Sequence, residues 1–187
     1  DYILVNDGKQ KLTVLENNGE EIKPNTIYSY KLGAENNWKY GTFRTEVGSP
    51  KSVRAIQLSD AQTKDGTKLE AWRNTFKQAR ITAGQDLDMV LYNGDQFDQN
   101  MANLSGKSNG ENKLMRYGKA LDAIEDYKTS IPYMASSGNH EPSFVFGQYI
   151  MNDINYGGID DEGCYYSYDY GFAHFTVIDT NNISKED

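Results

Sequence analysis

Short apolar runs, each closed by turn-forming residues, alternate along most of the chain with helical repeats. The runs at 53–59, 89–93 and 131–136 predict strands, because each is short and is followed by Asp, Gly or Ser. Over 68–83, apolar residues recur at spacings of three and four, which predicts an amphipathic helix, and the same spacing predicts a second helix over 114–124. Strands that alternate with amphipathic helices predict a parallel α/β sheet with right-handed crossovers. The predicted buried face of the first helix consists of Leu69, Trp72, Phe76, Ala79 and Ala83.

The beginning of the chain contains strand patterns but no helical repeat. Runs at 11–15, 26–32 and 39–45 are rich in β-branched and aromatic residues and are separated by Asn, Gly and Pro. They predict part of an antiparallel sheet, and a Gly-Ser-Pro linker follows them. We therefore expect two units, a partial all-β segment at 1–47 and an α/β domain at 48–187.

Near the other end of the chain, a further pair of strands is predicted. The runs 165–170 and 173–179 are joined at Gly171 and indicate a hairpin, which we expect to extend the parallel sheet. His174 lies within the second strand, and we expect it to be a packed structural residue.

Composition excludes several classes of function. A formal net charge of −8 argues against nucleic-acid binding through a basic patch, because such binding requires cations that neutralise phosphates. No apolar run approaches the roughly 20 residues that span a bilayer, so no membrane span is expected. Cys164 is the single cysteine and cannot form a disulfide within the chain.

Polar residues follow three of the predicted strands, at 59–62, 94–98 and 138–141. Because the carboxyl ends of parallel strands meet at one edge of a sheet, these residues are expected to lie close together. They include four side chains that offer only oxygen donors, a set that suits Mn²⁺, Mg²⁺ or iron. A carboxylate on the central strand could bridge two cations about 3.5–4 Å apart. The four candidate metal ligands are Asp60, Gln62, Asp95 and Asn139.

The three clusters together resemble the calcineurin-like metallophosphoesterases. The matching strings are Asp-x-Gln at 60–62, Gly-Asp-x-x-Asp at 94–98 and Gly-Asn-His-Glu at 138–141, each after a strand. The resemblance implies that Asp60 and Gln62 bind one metal, that Asp95 bridges two, and that Asn139 binds the second. It also implies that His140 donates a proton without binding metal and that Asp98 orients its imidazole. Glu141 is expected to brace the turn.

A second resemblance concerns the first 47 residues. The strings 22–33 and 41–45 resemble the end of the fibronectin-III-like domain that precedes the catalytic domain of purple acid phosphatases, and 171–179 resembles a strand of that group. The implied fold is the first half of a metallophosphoesterase β-sheet/α-helix sandwich after a partial fibronectin-III-like segment. The implied location is extracellular or at the cell surface.

Two residues depart from the purple acid phosphatase pattern. Asp98 stands where that group has a metal-binding tyrosine, so no tyrosinate–iron bond is expected. Gln62 stands where many relatives have histidine, which should weaken or change the metal preference of the first site. The family completes its metal sites with three later histidines, whereas this chain has only His140 and His174. We therefore expect the C-terminal part of the catalytic domain to be missing.

The resemblance implies a metal-dependent phosphoester hydrolase, in which a metal-bound hydroxide attacks phosphorus in line. Its cofactors would be two divalent or trivalent metal ions (Mn, Fe, Mg or Zn), and its substrate a phosphorylated small molecule or another phosphoester. Two alternatives stay open. The chain could be a catalytically incomplete binding or adhesion module on the same fold, or part of a nucleotidase or nuclease of the same superfamily.

Overall fold

The computed structural model describes residues 2–6, 12–16, 20–34, 37–49, 51–63, 66–84, 86–96, 118–124, 127, 129–141, 159–160 and 163–180. In chain order its elements are β1 (Tyr2–Asn6), β2 (Leu12–Glu16), β3 (Ile27–Ala34), β4 (Asn37–Arg44), β5 (Ala55–Leu58), α1 (Gly66–Ala83), β6 (Met89–Asn93), β7 (Tyr133–Ser136), β8 (Ile159–Asp160), β9 (Gly163–Cys164), β10 (Tyr166–Tyr170) and β11 (Ala173–Val177).

A parallel sheet of three strands carries the candidate functional residues. The strand order is β5-β6-β7, so β6 lies in the centre, and both pairings are parallel as the sequence predicts. Helix α1 connects β5 to β6 and ends at Gly84, whose positive φ of 84° and N–H bond to the Arg80 carbonyl (3.1 Å) terminate the helix. The crossover therefore delivers the ends of β5 and β6 to the same edge.

The core lies between this sheet and the aromatic face of α1. Trp72 and Phe76 are buried and meet edge to face, and Trp72 meets Tyr92 of β6 in the same way at 5.5 Å. The indole of Trp72 donates a hydrogen bond to the carbonyl of Ala120, in a helical stretch at 118–122. Leu114 and Tyr117, the first residues of the predicted second helix, lie outside the described residues.

The hairpin of β10 and β11 forms as predicted, but it does not extend the parallel sheet. Among the described strands it is a separate two-stranded antiparallel sheet. It packs on the core through Tyr166, whose hydroxyl donates to the carbonyl of Ala135 at 2.6 Å. The expectation for His174 was also wrong. Its side chain is 60% exposed and its Nδ1 lies 2.7 Å from an oxygen of Asp169 on the facing strand.

Among the described residues of 1–47, two antiparallel strand pairs form, β1 with β2 and β3 with β4. The sequence predicted only three of these four strands, and β1 is the one it missed. Tyr30 of β3 donates a hydrogen bond to the carbonyl of Thr129 at 2.8 Å, which joins this segment to the α/β part. In the described part of the chain, no helix is both long and apolar enough to span a membrane.

Candidate functional site

The chain segments that leave β5 and β6 continue side by side beyond the ends of the strands. The Asp60 N–H donates to the Gly94 carbonyl at 3.1 Å, and the Gln62 N–H donates to the Asp95 carbonyl at 2.9 Å. The Thr63 N–H then donates to the next carbonyl along, at 3.0 Å. The structure thus brings three of the four predicted metal ligands together at the carboxyl edge of the sheet.

The same three residues have an unusual backbone conformation. Asp60, Gln62 and Asp95 have positive φ angles of 55°, 41° and 58°. Such a left-handed conformation costs most non-glycine residues roughly 1–2 kcal/mol and aspartate less, and it is found preferentially at functional sites. In the described part of the chain, the other non-glycine residue with positive φ is Asn25, in a turn beside β3. Backbone strain is therefore concentrated where the sequence predicts the ligands.

The turns after β6 and β7 are packed directly on each other through two glycines. A Cβ on Gly94 would lie 2.5 Å from the Cα of Gly138, and Gly94 also has a positive φ of 76°. A Cβ on Gly138 would overlap the backbone nitrogen and a carboxylate oxygen of Asp95. Only glycine at both positions lets the two turns approach so closely.

Glu141 connects these two turns. Its side chain is buried, with 4% of the residue exposed, and its carboxylate accepts N–H bonds from Asp95 (2.7 Å), Gln96 (2.6 Å) and Gly138 (2.9 Å). Burial raises the pKa of the Glu141 carboxyl, the three N–H groups lower it, and the nearby charge of Asp95 raises it. The expectation that Glu141 braces its turn is confirmed, and the carboxylate also reaches across to the neighbouring turn.

His140 lies against the carboxylate of Asp95. Its backbone N–H donates to Asp95 Oδ1 at 3.0 Å, and its Nε2 lies 4.0 Å from Asp95 Oδ2. The imidazole is largely buried, with 14% of the side chain exposed. Asn139 precedes it in the same turn and is exposed. Asp98, the predicted partner of the imidazole, lies outside the described residues.

Behind the edge, a group of buried polar residues supports the turns, and the sequence did not predict it. The Tyr92 hydroxyl accepts the Ala61 N–H at 2.9 Å, and burial raises the pKa of this phenol. The Tyr92 ring stacks on Tyr133, whose hydroxyl donates to the side-chain oxygen of the fully buried Gln96. The amide nitrogen of Gln96 has no hydrogen-bond partner in the described part of the chain. In the sequence, the position of Gln96 within the Gly-Asp-x-x-Asp string is the only feature that could have indicated a role for it.

The donor atoms at the carboxyl edge of the sheet can be compared with the ligands that metal ions require. Asp60 and Asp95 offer carboxylates, and Gln62 and Asn139 offer amide oxygens, so the donor type suits a hard cation. The number of charged donors is small. Among the described residues, no group of three or more histidine, cysteine, aspartate or glutamate side chains is arranged to hold a metal ion. The described residues therefore offer suitable oxygen donors but do not by themselves make up a metal site.

A cavity of about 260 Å³ opens beside Asp60, between the edge of the sheet and the first turns of α1. The chain after β5 forms one wall, and the helix forms the other. Its lining residues are Leu58, Ser59, Asp60, Ala61, Lys68, Ala71, Trp72 and Thr75.

Comparison with known proteins found related sequences that share the name acid phosphatase type 7. No family model matches the chain. It is 25% identical over 174 residues to acid phosphatase type 7 of Mus musculus and 27% identical over the same length to that of Homo sapiens. Both alignments cover 92% of this chain and 36% of the relative, so the chain spans about a third of their length. The protein of the same name from Danio rerio is 27% identical over 165 residues.

Among solved structures, the fold is similar to that of purple acid phosphatase PPD1 from yellow lupin seeds. The TM-score is 0.51 at 21% sequence identity, and the match covers 84% of this chain and 30% of the lupin chain. This likeness concerns the fold. It agrees with the purple acid phosphatase-like fold that the sequence resemblance implied.

Proposed function

We propose that this chain, which has a purple acid phosphatase-like metallophosphoesterase fold, contributes one part of the active site of a metal-dependent phosphoester hydrolase. One observation carries the proposal. The backbone ladder past β5 and β6 gathers Asp60, Gln62 and Asp95 at one sheet edge, each in a left-handed conformation. Aspartate tolerates this conformation, but glutamine does so at a cost of about 1–2 kcal/mol, so the strain at Gln62 indicates that the position of its side chain matters.

The proposed metal ligands are those that the resemblance to metallophosphoesterases implies, and their oxygen donors suit hard cations. Asp60 and Gln62 would hold one cation, Asn139 the other, and Asp95 both. Bound there, such cations would supply positive charge for the phosphoryl transition state and lower the pKa of a water molecule towards about 7. A net charge of −8 is compatible with an anionic substrate because bound cations would supply positive charge locally. The metal would be Mn, Fe, Mg or Zn.

His140 is the proposed proton donor to the leaving oxygen. Its largely buried imidazole lies beside Asp95, with Nε2 4.0 Å from the carboxylate, so the atom that would carry the proton is next to the proposed bridging ligand. A positioned general acid contributes about 10²–10⁴-fold to turnover. Asp98 is proposed to orient the ring.

Two broader features complete the proposal. The segment 1–47 would be the end of a fibronectin-III-like domain, separate from the metallophosphoesterase part at 48–187. Two antiparallel hairpins support an all-β segment there. An extracellular or cell-surface location would follow from such a domain.

A second candidate is a binding module that has lost catalysis. The small number of charged donors among the described residues favours it. Under this alternative, the polar edge would persist without supporting hydrolysis. A nucleotidase or nuclease of the same superfamily would share the metal site; a nucleotidase would hydrolyse the phosphomonoester of a nucleotide, and a nuclease would prefer phosphodiesters.

The test uses the full-length protein. Metal content is measured by elemental analysis, and hydrolysis of p-nitrophenyl phosphate and bis(p-nitrophenyl) phosphate is measured without added metal and with Mn, Fe, Mg or Zn ions added in turn. We expect bound metal and metal-dependent hydrolysis. No hydrolysis with any of the four metals would favour the binding module, and faster diester hydrolysis would favour a nuclease.

Two variants test the assigned residues. Asp95→Asn should lower the metal content at both sites, because the proposed bridging ligand loses its charge. His140→Ala should keep the metal and lose about 10²–10⁴-fold in turnover. The matched control is His174→Ala, the exposed histidine of β11, which should change neither quantity. Full activity of His140→Ala would contradict its role as proton donor.

A further inference from the structure

The turns after β6 and β7 are held together by two carboxylates, each of which binds the backbone of the other turn. Glu141 lies in the second turn and accepts the N–H groups of Asp95 and Gln96 in the first. Asp95 in the first turn accepts the N–H of His140 in the second, at 3.0 Å. These contacts join residues 45 and 46 positions apart in the sequence. We call this arrangement the reciprocal carboxylate pair, Asp95 and Glu141.

The geometry at Glu141 is that of an anion bound by successive backbone N–H groups. Oε1 accepts from Gln96, and Oε2 accepts from Asp95 and from Gly138, at 2.6–2.9 Å. Hydrogen bonds to a charged acceptor are about twice as strong as neutral ones, and burial shields them from water. Two of the three N–H groups that Glu141 binds belong to the left-handed residue Asp95 and to its successor. The carboxylate thus compensates for the strain that places Asp95 at the edge.

We propose that Glu141 is a positioning residue for phosphoester hydrolysis, which fixes the carboxylate of Asp95 against His140. This inference rests on the proposed function. Both Glu141 oxygens face backbone donors, so its contribution is made through Asp95 and His140. A displacement of about 1 Å at reacting groups can cost roughly 100-fold in rate, so loosening this contact should lower turnover and leave substrate affinity intact.

Glu141→Gln is the sharpest variant because it keeps the shape of the side chain. The amide oxygen would take the Oε2 position, where two N–H groups donate, and the NH₂ group would then face the Gln96 N–H. We expect kcat to fall 10- to 100-fold, with KM changed less than twofold. The backbone amides of Asp95 and Gln96 should exchange with solvent at least tenfold faster.

The matched control is Asp88→Asn, at the opposite end of β6. The Asp88 carboxylate also accepts a backbone N–H, from Arg54 at 2.8 Å, and a hydroxyl from Tyr170 at 2.9 Å. We expect this variant to leave kcat and the exchange of the Asp95 amide unchanged. Glu141→Asp, which keeps the charge on a shorter side chain, is measured in the same way and serves if Glu141→Gln does not fold.

The outcomes separate this inference from the proposed function. Faster amide exchange with unchanged kcat in Glu141→Gln would overturn the positioning role, as would equal loss of kcat in Glu141→Gln and Asp88→Asn. A wild-type protein that is inactive with every metal would overturn the proposed function. In that case, slow exchange at Asp95 that is lost in Glu141→Gln would still establish the contact between the turns.

Discussion

Carboxylates accept backbone N–H groups at both ends of strand β6, but the two ends differ in how deeply these carboxylates are buried. At its amino end, Asp88 accepts a backbone N–H from Arg54 and a hydroxyl from Tyr170. Nearby, Asp86 forms ion pairs with Arg44 and Arg54 at 3.7 and 3.8 Å, but its side chain is 73% exposed. At its carboxyl end, the buried Glu141 accepts three N–H groups from two turns that touch through glycines.

The difference lies in strain and burial. Exposed ion pairs contribute roughly 0–1 kcal/mol, so the amino end is stabilised by ordinary, replaceable contacts. The carboxyl end combines left-handed residues, close glycine contacts and buried charge, each of which costs free energy unless its neighbours compensate. Unfavourable features of this kind are expected to occur together where the function of the protein requires side chains in fixed positions. The following predictions test this comparison.

Gly138→Ala should have the largest effect on stability. An added Cβ would overlap the backbone nitrogen and a carboxylate oxygen of Asp95, so the two turns would have to separate. We expect a loss of about 3 kcal/mol or more in the free energy of unfolding, measured by urea denaturation.

The control for this prediction is Gly84→Ala, at the end of α1. Gly84 also has a positive φ, but a Cβ there would meet nothing within 4 Å. Its cost should be the backbone strain alone, about 1–2 kcal/mol. Equal losses for the two variants would mean that the contact between the turns adds nothing beyond backbone conformation.

Tyr133→Phe should have the next largest effect, because it removes a donor from a buried amide. The side chain of Gln96 is fully buried, and the Tyr133 hydroxyl donates to its oxygen. We expect a loss of about 1–3 kcal/mol, since an unsatisfied buried acceptor pays its full desolvation cost. Adding Gln96→Leu should recover most of it, because replacing both partners by apolar groups is nearly neutral. A double variant as unstable as the sum of the singles would contradict this pairing.

Local pattern was sufficient to predict the elements that belong to the α/β part. The strands at β5, β6 and β7 and helix α1 were predicted within a few residues, because apolar spacing there is set by burial on one side. The pattern does not say which strand pairs with which. For that reason it assigned the β10–β11 hairpin to the parallel sheet, and it missed β1, which is a strand through its pairing with β2.

The candidate site was predicted as a set of residues at one edge, and its supports were not. The convergence of Asp60, Gln62 and Asp95 follows from the parallel topology, which the sequence pattern indicates. The contact between Glu141 and the Asp95 backbone spans 46 positions and depends on how closely two turns approach. Whether these residues bind metal stays a prediction.

Gln62→Gly tests the strain at the carboxyl edge directly. Gln62 has a φ of 41°, which glycine adopts freely, so the substitution should raise the free energy of unfolding by about 1 kcal/mol. It should also lower metal content if the side chain is a ligand. The control is Asn25→Gly in the turn beside β3, where asparagine already tolerates the left-handed conformation and a change below about 0.5 kcal/mol is expected. A destabilised Gln62→Gly would show that side-chain contacts outweigh the strain.

Tyr170→Phe addresses the amino end and should have the smallest effect, at most about 1 kcal/mol. Burial, together with the bond to Asp88, raises the pKa of Tyr170 from 10.0 to about 12. The folded state therefore keeps this proton when the unfolded chain loses it. The stabilisation is fully present below pH 10 and is lost as pH rises through 12.

The measurement is urea unfolding at pH 8, 10 and 11.5, which should show a smaller loss of stability at alkaline pH in Tyr170→Phe than in the wild type. The exposed Tyr40→Phe should match the wild type at each pH. An unchanged alkaline loss in Tyr170→Phe would mean that the contact with Asp88 does not stabilise the fold, and that only the carboxyl end of β6 depends on its carboxylate.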